Sequence, residues 1–132
     1  MRIMTDTNIL ISAILFPNSI AKRVLEKILV EHQLVLCSYI IDEIHKVFES
    51  KFWDKIEIVE PFLLELSFEL VYTPKRINPD KYPNIRDKND LPILVSAILS
   101  DIDIFITGDK DFHAVDIEKP RIITLKDFEQ FQ

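Results

Sequence analysis

Two hydrophobic rhythms alternate along this chain. The first segment, Arg2-Ile3-Met4-Thr5, is short, mostly apolar and stops at Asp6, which predicts a buried strand. Residues 8–15 are densely apolar and end before Pro17-Asn18. A short helix packed on a sheet fits them, but periodicity alone does not separate helix from strand over so short a run. Ser19 is a predicted N-cap, followed by Ile20, Val24, Ile28 and Leu29 at helical spacing. Residues 34–37 form a second apolar strand. Ser38 is the next N-cap candidate, and Ile40, Ile41, Ile44, Val47 and Phe48 make a helical stripe. Ile56, Val59, Phe62, Leu63, Leu66 and Leu70 continue the pattern in another helix, with Pro61 in its first turns. The polar stretch 73–89, with Pro74, Pro79 and Pro83, reads as a loop with a short strand at its start. Asp90 then caps a strongly apolar helix over 91–99, with Pro92 in its first turn, where a missing N–H costs little. Residues 102–107 are a third clear strand, ending at Gly108-Asp109; residues 121–124 are a fourth, and 125–131 a closing helix. Strands alternating with helices predict an α/β sandwich with a central, mainly parallel sheet.

Composition narrows this frame. At 132 residues the chain is expected to be one domain, 1–132, with a core that needs no disulfide or structural metal. One glycine, Gly108, excludes the glycine-rich phosphate loops, which need several. One cysteine, Cys37, excludes an internal disulfide and a multi-cysteine zinc site, and its apolar neighbours predict a buried thiol. No uninterrupted apolar run exceeds four residues, far short of a membrane helix, and the N-terminal segment lacks a signal-peptide core. A cytoplasmic protein with no membrane partner is expected. The net charge of −6 excludes a protein that coats nucleic acid with positive charge. It leaves room for a nuclease, whose metal site requires carboxylates of its own.

In an open parallel sheet the site lies beyond the carboxyl ends of the strands, which makes the acid positions informative. Asp6 ends the first strand. Asp109 and Asp111 follow the strand 102–107. Asp90 begins a helix, and Glu43 lies one turn into a helix that follows a strand. Each has a bland explanation: Asp90 as an N-cap, Asp6 as a turn or cap residue, Glu43 on a solvated helix face, Gly108-Asp109-Lys110-Asp111 as an ordinary turn. Together, four carboxylates converging on one crevice repel one another unless protonated or neutralised by cations. An oxygen-rich set suits Mg2+ or Mn2+ rather than zinc. The histidines His32, His45 and His113 have no partner at ligand spacing.

The motifs Met4-Thr5-Asp6-Thr7-Asn8-Ile9-Leu10, Ser38 through Glu43-Ile44, Arg86-Asp87-Lys88-Asn89-Asp90 with Ala97 beyond, and Ile106-Thr107-Gly108-Asp109-Lys110-Asp111-Phe112 resemble, in order and spacing, those of the PIN-domain family. The nearest variety is the VapC-like branch of toxins from toxin–antitoxin pairs. The resemblance covers essentially the whole chain. It implies a three-layer α/β/α sandwich and a metal-dependent endoribonuclease whose acidic quartet falls on Asp6, Glu43, Asp90 and Asp109, which would hold Mg2+ or Mn2+. Asp87 and Asp111 match supporting acids, and Asn8, Ser38 and Thr107 match polar residues placed around the metals. One departure is that Leu91-Pro92 follows Asp90, where many members carry a small or polar residue and no proline. The resemblance also implies an RNA substrate, an antitoxin partner and a homodimer.

The basic residues Lys81, Arg86 and Lys88 cluster beside the predicted site, and Lys110 lies within the last motif; they are candidates for a phosphate track. Two other functions compete. A catalytically silent PIN-like module would bind RNA or protein without cutting. A receiver-like or phosphatase-like protein would also set strand-end acids around Mg2+, but Asp6-Thr7-Asn8 lacks the second acid of an Asp-x-Asp motif, and a receiver's acid pair near the first strand is missing as well.

Overall fold

The computed structural model describes residues 1–131. Five strands, β1 (Arg2–Thr5), β2 (Gln33–Cys37), β3 (Glu69–Val71), β4 (Ile104–Ile106) and β5 (Arg121–Ile123), form one sheet in the order β3-β2-β1-β4-β5. Every neighbouring pair is parallel, so each connection must cross over the sheet. The crossovers are helical: α1 (Thr7–Leu15), α2 (Ile20–Glu31), α3 (Ser38–Lys51), α4 (Val59–Glu65), α5 (Leu91–Leu99) and α6 (Lys110–His113). A closing α7 (Leu125–Phe131) completes a three-layer α/β/α sandwich. Among the described residues no helix is long and apolar enough to cross a membrane.

The central strands are covered on both faces, which explains their unbroken apolar runs: Ile3, Met4, Leu34, Val35, Leu36, Ile104, Phe105 and Ile106 are all buried. At the opposite end from the predicted site, Arg2 holds Glu69 through two hydrogen bonds of 2.8 and 2.9 Å and also donates to the Ser100 carbonyl. The first residue of β1 is thereby tied to the edge strand β3.

Several local expectations need correction. The helix expected to run on to Leu70 ends at Glu65, and Glu69–Val71 is the edge strand β3. An isolated apolar stripe cannot distinguish a fourth turn of helix from a three-residue strand. The short strand therefore lies before the loop, not at its start, and the loop carries 3-10 turns at Pro79–Lys81 and Lys88–Asp90. Ser19 caps α2 as expected, accepting a hydrogen bond from the Lys22 amide at 3.2 Å. Ser38 does not cap α3. It is the first helical residue, and its hydroxyl accepts from the Thr73 amide at 3.0 Å, tying α3 to the chain just after β3. Cys37 is buried, as expected. His45 does find an acid: its Nε2 reaches Glu60 Oε1 at 2.5 Å while Nδ1 donates to the Ile41 carbonyl, linking α3 to α4.

The short helix α6 is anchored by Phe112, whose ring packs on Phe105 of β4 with centroids 4.8 Å apart. Phe112→Ala should lower stability by about 3–5 kcal/mol, the usual cost of emptying a buried aromatic site. Urea unfolding checks this: the midpoint falls and the slope stays unchanged.

Candidate metal centre

The strand order places a topological switch point between β1 and β4. The chain leaves β1 toward β2 and β3, then returns past it to β4 and β5. Crevices open at such points beyond the carboxyl ends of the strands. Here the crevice is a cleft of about 100 Å3 lined by Asp6, Asn8, Glu43, Asp90 and Asp109, with Thr7 among them. Val47, Ile93 and Phe112 form its apolar wall. The four acids named from the sequence thus share one cleft, although three chain segments separate them.

Asp6 is the most constrained. It is only 6% exposed, at the junction of β1 and α1. Its Oδ1 accepts from the Ile9 amide at 3.1 Å, capping α1, and its Oδ2 accepts from the Thr107 hydroxyl in a very short hydrogen bond. Burial pushes its pKa up; the Thr107 and Ile9 hydrogen bonds oppose this, and the nearby charges of Asp109 and Glu43 add to it. Thr107 is itself fully buried, and its hydroxyl oxygen accepts from the Asp109 amide at 3.0 Å. One hydroxyl therefore fixes two acids relative to each other. Its role is to hold carboxylates, not to face a substrate. Asp109 in turn caps α6 by accepting from the Asp111 amide at 2.9 Å.

Glu43 is oriented by Thr7, whose hydroxyl donates to its Oε1 at 2.6 Å. The sequence reading passed over Thr7. Its position at the first turn of α1, directly after Asp6, was the signal that it shares the crevice. Tyr39 was also missed: burial raises its phenol pKa, and Glu43, Asp90 and Asp87 add to the shift, so its ring is close enough to feel the acids.

Asp90 departs furthest from expectation. It makes no capping hydrogen bond; Asp87 instead caps the preceding 3-10 turn by accepting from the Asn89 amide at 3.0 Å. The Oδ2 of Asp90 is buried without any hydrogen-bond partner. Burial, the charges of Asp109, Asp87 and Glu43, and a proton shared with the Asp109 carboxylate push its pKa up to about 7. A buried acceptor left without a donor is costly, and native proteins rarely keep one. The all-oxygen donor set around it fits a hard divalent ion, which would satisfy that oxygen. The two carboxylate oxygens of Asp6 keep free lone pairs beyond their hydrogen bonds, so capping does not remove Asp6 from such a set.

Among the described residues the tightest cluster is a different one: Asp87, Asp90 and Asp111 bring one oxygen each within 4.8 Å of one another. Two of the three are already engaged. Arg86 donates to both oxygens of Asp111, at 2.8 and 2.7 Å, and holds that carboxyl below its ordinary range. Asp87 caps its turn through one oxygen and, like Asp6, keeps lone pairs free. Asp90 belongs to both groups and is the hinge between them.

The basic residues are placed less simply than expected. Arg86 is exposed but paired with Asp111, and the Lys88 ammonium donates to the Asn84 side chain at 3.2 Å. Lys81 and Lys110 are exposed, Lys81 in the loop and Lys110 at the start of α6. His113 donates its Nε2 proton to the Thr107 carbonyl at 2.8 Å, bracing the turn that presents Asp109.

The folded protein holds a proton on Asp90 across a range where the unfolded chain has released it, from the ordinary value of 3.8 up to about 7. Stability of the metal-free protein should therefore fall as pH rises through that window. Asp90→Asn removes the titrating group. It should flatten this dependence and raise Tm at pH 8 by about 3–6 °C. Thermal melts in EDTA from pH 5 to 8 check both.

Comparison with known proteins bears on the fold and the family. No curated protein sequence matches this chain. Eight chains of known structure match it. One is from the crystal structure of VapBC2 from Rickettsia felis bound to a DNA fragment from its promoter. It aligns with a TM-score of 0.68 at 20% identity, over 93% of this chain and 97% of that one. A family model described as the PIN domain matches residues 2–111, which include every acid of the cleft. The chain belongs to the PIN-domain family.

Proposed function

We propose that this protein is a Mg2+- or Mn2+-dependent endoribonuclease, the toxin of a toxin–antitoxin pair acting in the cytoplasm. The observation that carries the reading is the shared cleft of Asp6, Glu43, Asp90 and Asp109, with an Asp90 oxygen that no protein donor satisfies. Membership of the PIN family and the fold likeness to a chain of the Rickettsia felis VapBC2 complex support it. Asp6, Asp90 and Asp109 would hold the ion, with Glu43 shared or reached through water. A divalent ion there supplies an acidified water and neutralises charge on the phosphate oxygens. The reaction is in-line hydrolysis of an RNA phosphodiester, leaving a 5′-phosphate and a 3′-hydroxyl.

The chain's own groups prepare this chemistry. Thr107 and the Ile9 amide lock Asp6 in one rotamer, and Thr7 does the same for Glu43, so the donors are set before a ligand arrives. Asp90, with its pKa near 7, would release its proton readily at neutral pH to serve as a ligand. Asp87 and Asp111 support from the side: one fixes the turn before Asp90 and the other holds Arg86. Because Asp111 offsets the charge of Arg86, the phosphate track falls mainly to Lys81, Lys88 and Lys110. An antitoxin partner and a homodimer are part of the proposal. The exposed Trp53, Leu64 and Tyr72 supply apolar surface for such contacts.

Purified protein should cut mixed RNA in Mg2+ or Mn2+ and stop in EDTA. Asp90→Asn should lose more than about 100-fold, beyond the usual cost of losing a supporting contact at a metal. Its circular dichroism should be unchanged. An Asp90→Asn protein as active as the parent would refute the assignment.

A further inference from the structure

The cleft continues sideways. Asp6, Asn8 and Asp109 also line a second cavity of about 300 Å3, three times the volume of the cleft itself. Ile9 and Ser12 extend it along α1, and Gly108 and Leu125 complete it from the β4–α6 turn and the start of α7. Ser12 lies one helical turn beyond Asn8, so both project toward the same side of α1.

The lining selects its occupant. Among the described residues its only charged groups are the carboxylates of Asp6 and Asp109, and no lysine or arginine lines it. A second phosphate would be repelled there. A neutral group with flat apolar faces and a polar edge is suited, because Ile9 and Leu125 offer apolar surface while the Asn8 amide and Ser12 hydroxyl offer donors and acceptors. The volume lies at the low end for small-molecule sites, about 300–1,000 Å3, and the space is open to solvent on one side, which gives room for one nucleoside of a longer strand. Since Asp6 and Asp109 border both spaces, a phosphate held at the acids has its neighbouring sugar and base beside this cavity.

We infer that the cavity between α1, the Gly108 turn and α7 receives the nucleoside adjoining the scissile phosphodiester, and that it sets the base preferred at the cut. This rests on the ribonuclease reading, and the test separates the two. Gly108 has no positive φ, and a Cβ added there meets nothing within 4 Å, so Gly108→Leu fills the space without straining the backbone. Ser12→Ala is a second variant that removes only a hydroxyl. Cleavage of a randomised RNA is followed by sequencing the new termini. Gly108→Leu should change the base preference beside the cut or raise KM about tenfold, the scale on which a pocket of this kind discriminates. Ser12→Ala should change the same flanking position. A parent that cuts RNA while both variants keep its preference and its KM overturns the inference and leaves the ribonuclease reading intact. Calorimetric binding of the four nucleoside 5′-monophosphates in Mg2+ reads the cavity independently of cleavage. A parent that cuts no RNA but binds a monophosphate about tenfold more tightly than Gly108→Leu does supports the cavity and overturns the ribonuclease. A parent that cuts no RNA and shows no such difference overturns both.

Discussion

A buried carboxylate at the end of the central strand governs this molecule. Asp6 is desolvated at the place where the sheet meets its first helix, and no lysine or arginine lines the cleft to offset it. What stabilises its charge is local and oriented: the Thr107 hydroxyl, the Ile9 amide and the positive end of α1. The same contacts join β1 to β4 and start α1, so the fold and the site depend on one set of bonds. Three further acids then converge on this charge, and Asp90 responds with a pKa near 7. A protein selected for stability alone would place a cation or apolar groups here. Perturbed acids gathered in a cleft are the signature of a site kept for chemistry.

Topology explains why acids so far apart in the chain meet. Each comes from the carboxyl side of the sheet: Asp6 after β1, Glu43 in the helix after β2, Asp90 after the loop that follows β3, and Asp109 after β4. The reversal of strand order between β1 and β4 leaves a crevice there that no crossover helix fills. The long loop over residues 72–90 serves the same end. Its last 3-10 turn, capped by Asp87, rotates Asp90 out of the capping role and into the cleft.

The sheet and the convergence of four acids on one cleft were legible in the sequence. Strands buried on two faces leave unbroken apolar runs, and the Asp-Thr-Asn and Thr-Gly-Asp-Lys-Asp motifs mark strand ends. What escaped was tertiary. Glu69–Val71 continues a helical stripe and becomes a strand only because β2 offers it an edge. Thr7 and Glu43 are 36 residues apart, and Arg86 and Asp111 are 25 apart, so neither pairing has a local signature. Asp90 and Ser38 both carry the side chain of a good cap. In each case a neighbour decides otherwise: Asp87 takes the cap from one, and the Thr73 amide takes the hydroxyl of the other.

In the proposed site the ion sits in the quartet and not in the tighter trio of Asp87, Asp90 and Asp111. An anomalous difference map from crystals grown with Mn2+ tests it most directly. The expected result is a peak in the cleft bounded by Asp6, Asp90 and Asp109, with the Arg86–Asp111 pair intact. A peak between Asp87 and Asp111 with the cleft empty, or no peak at saturating Mn2+, would contradict it.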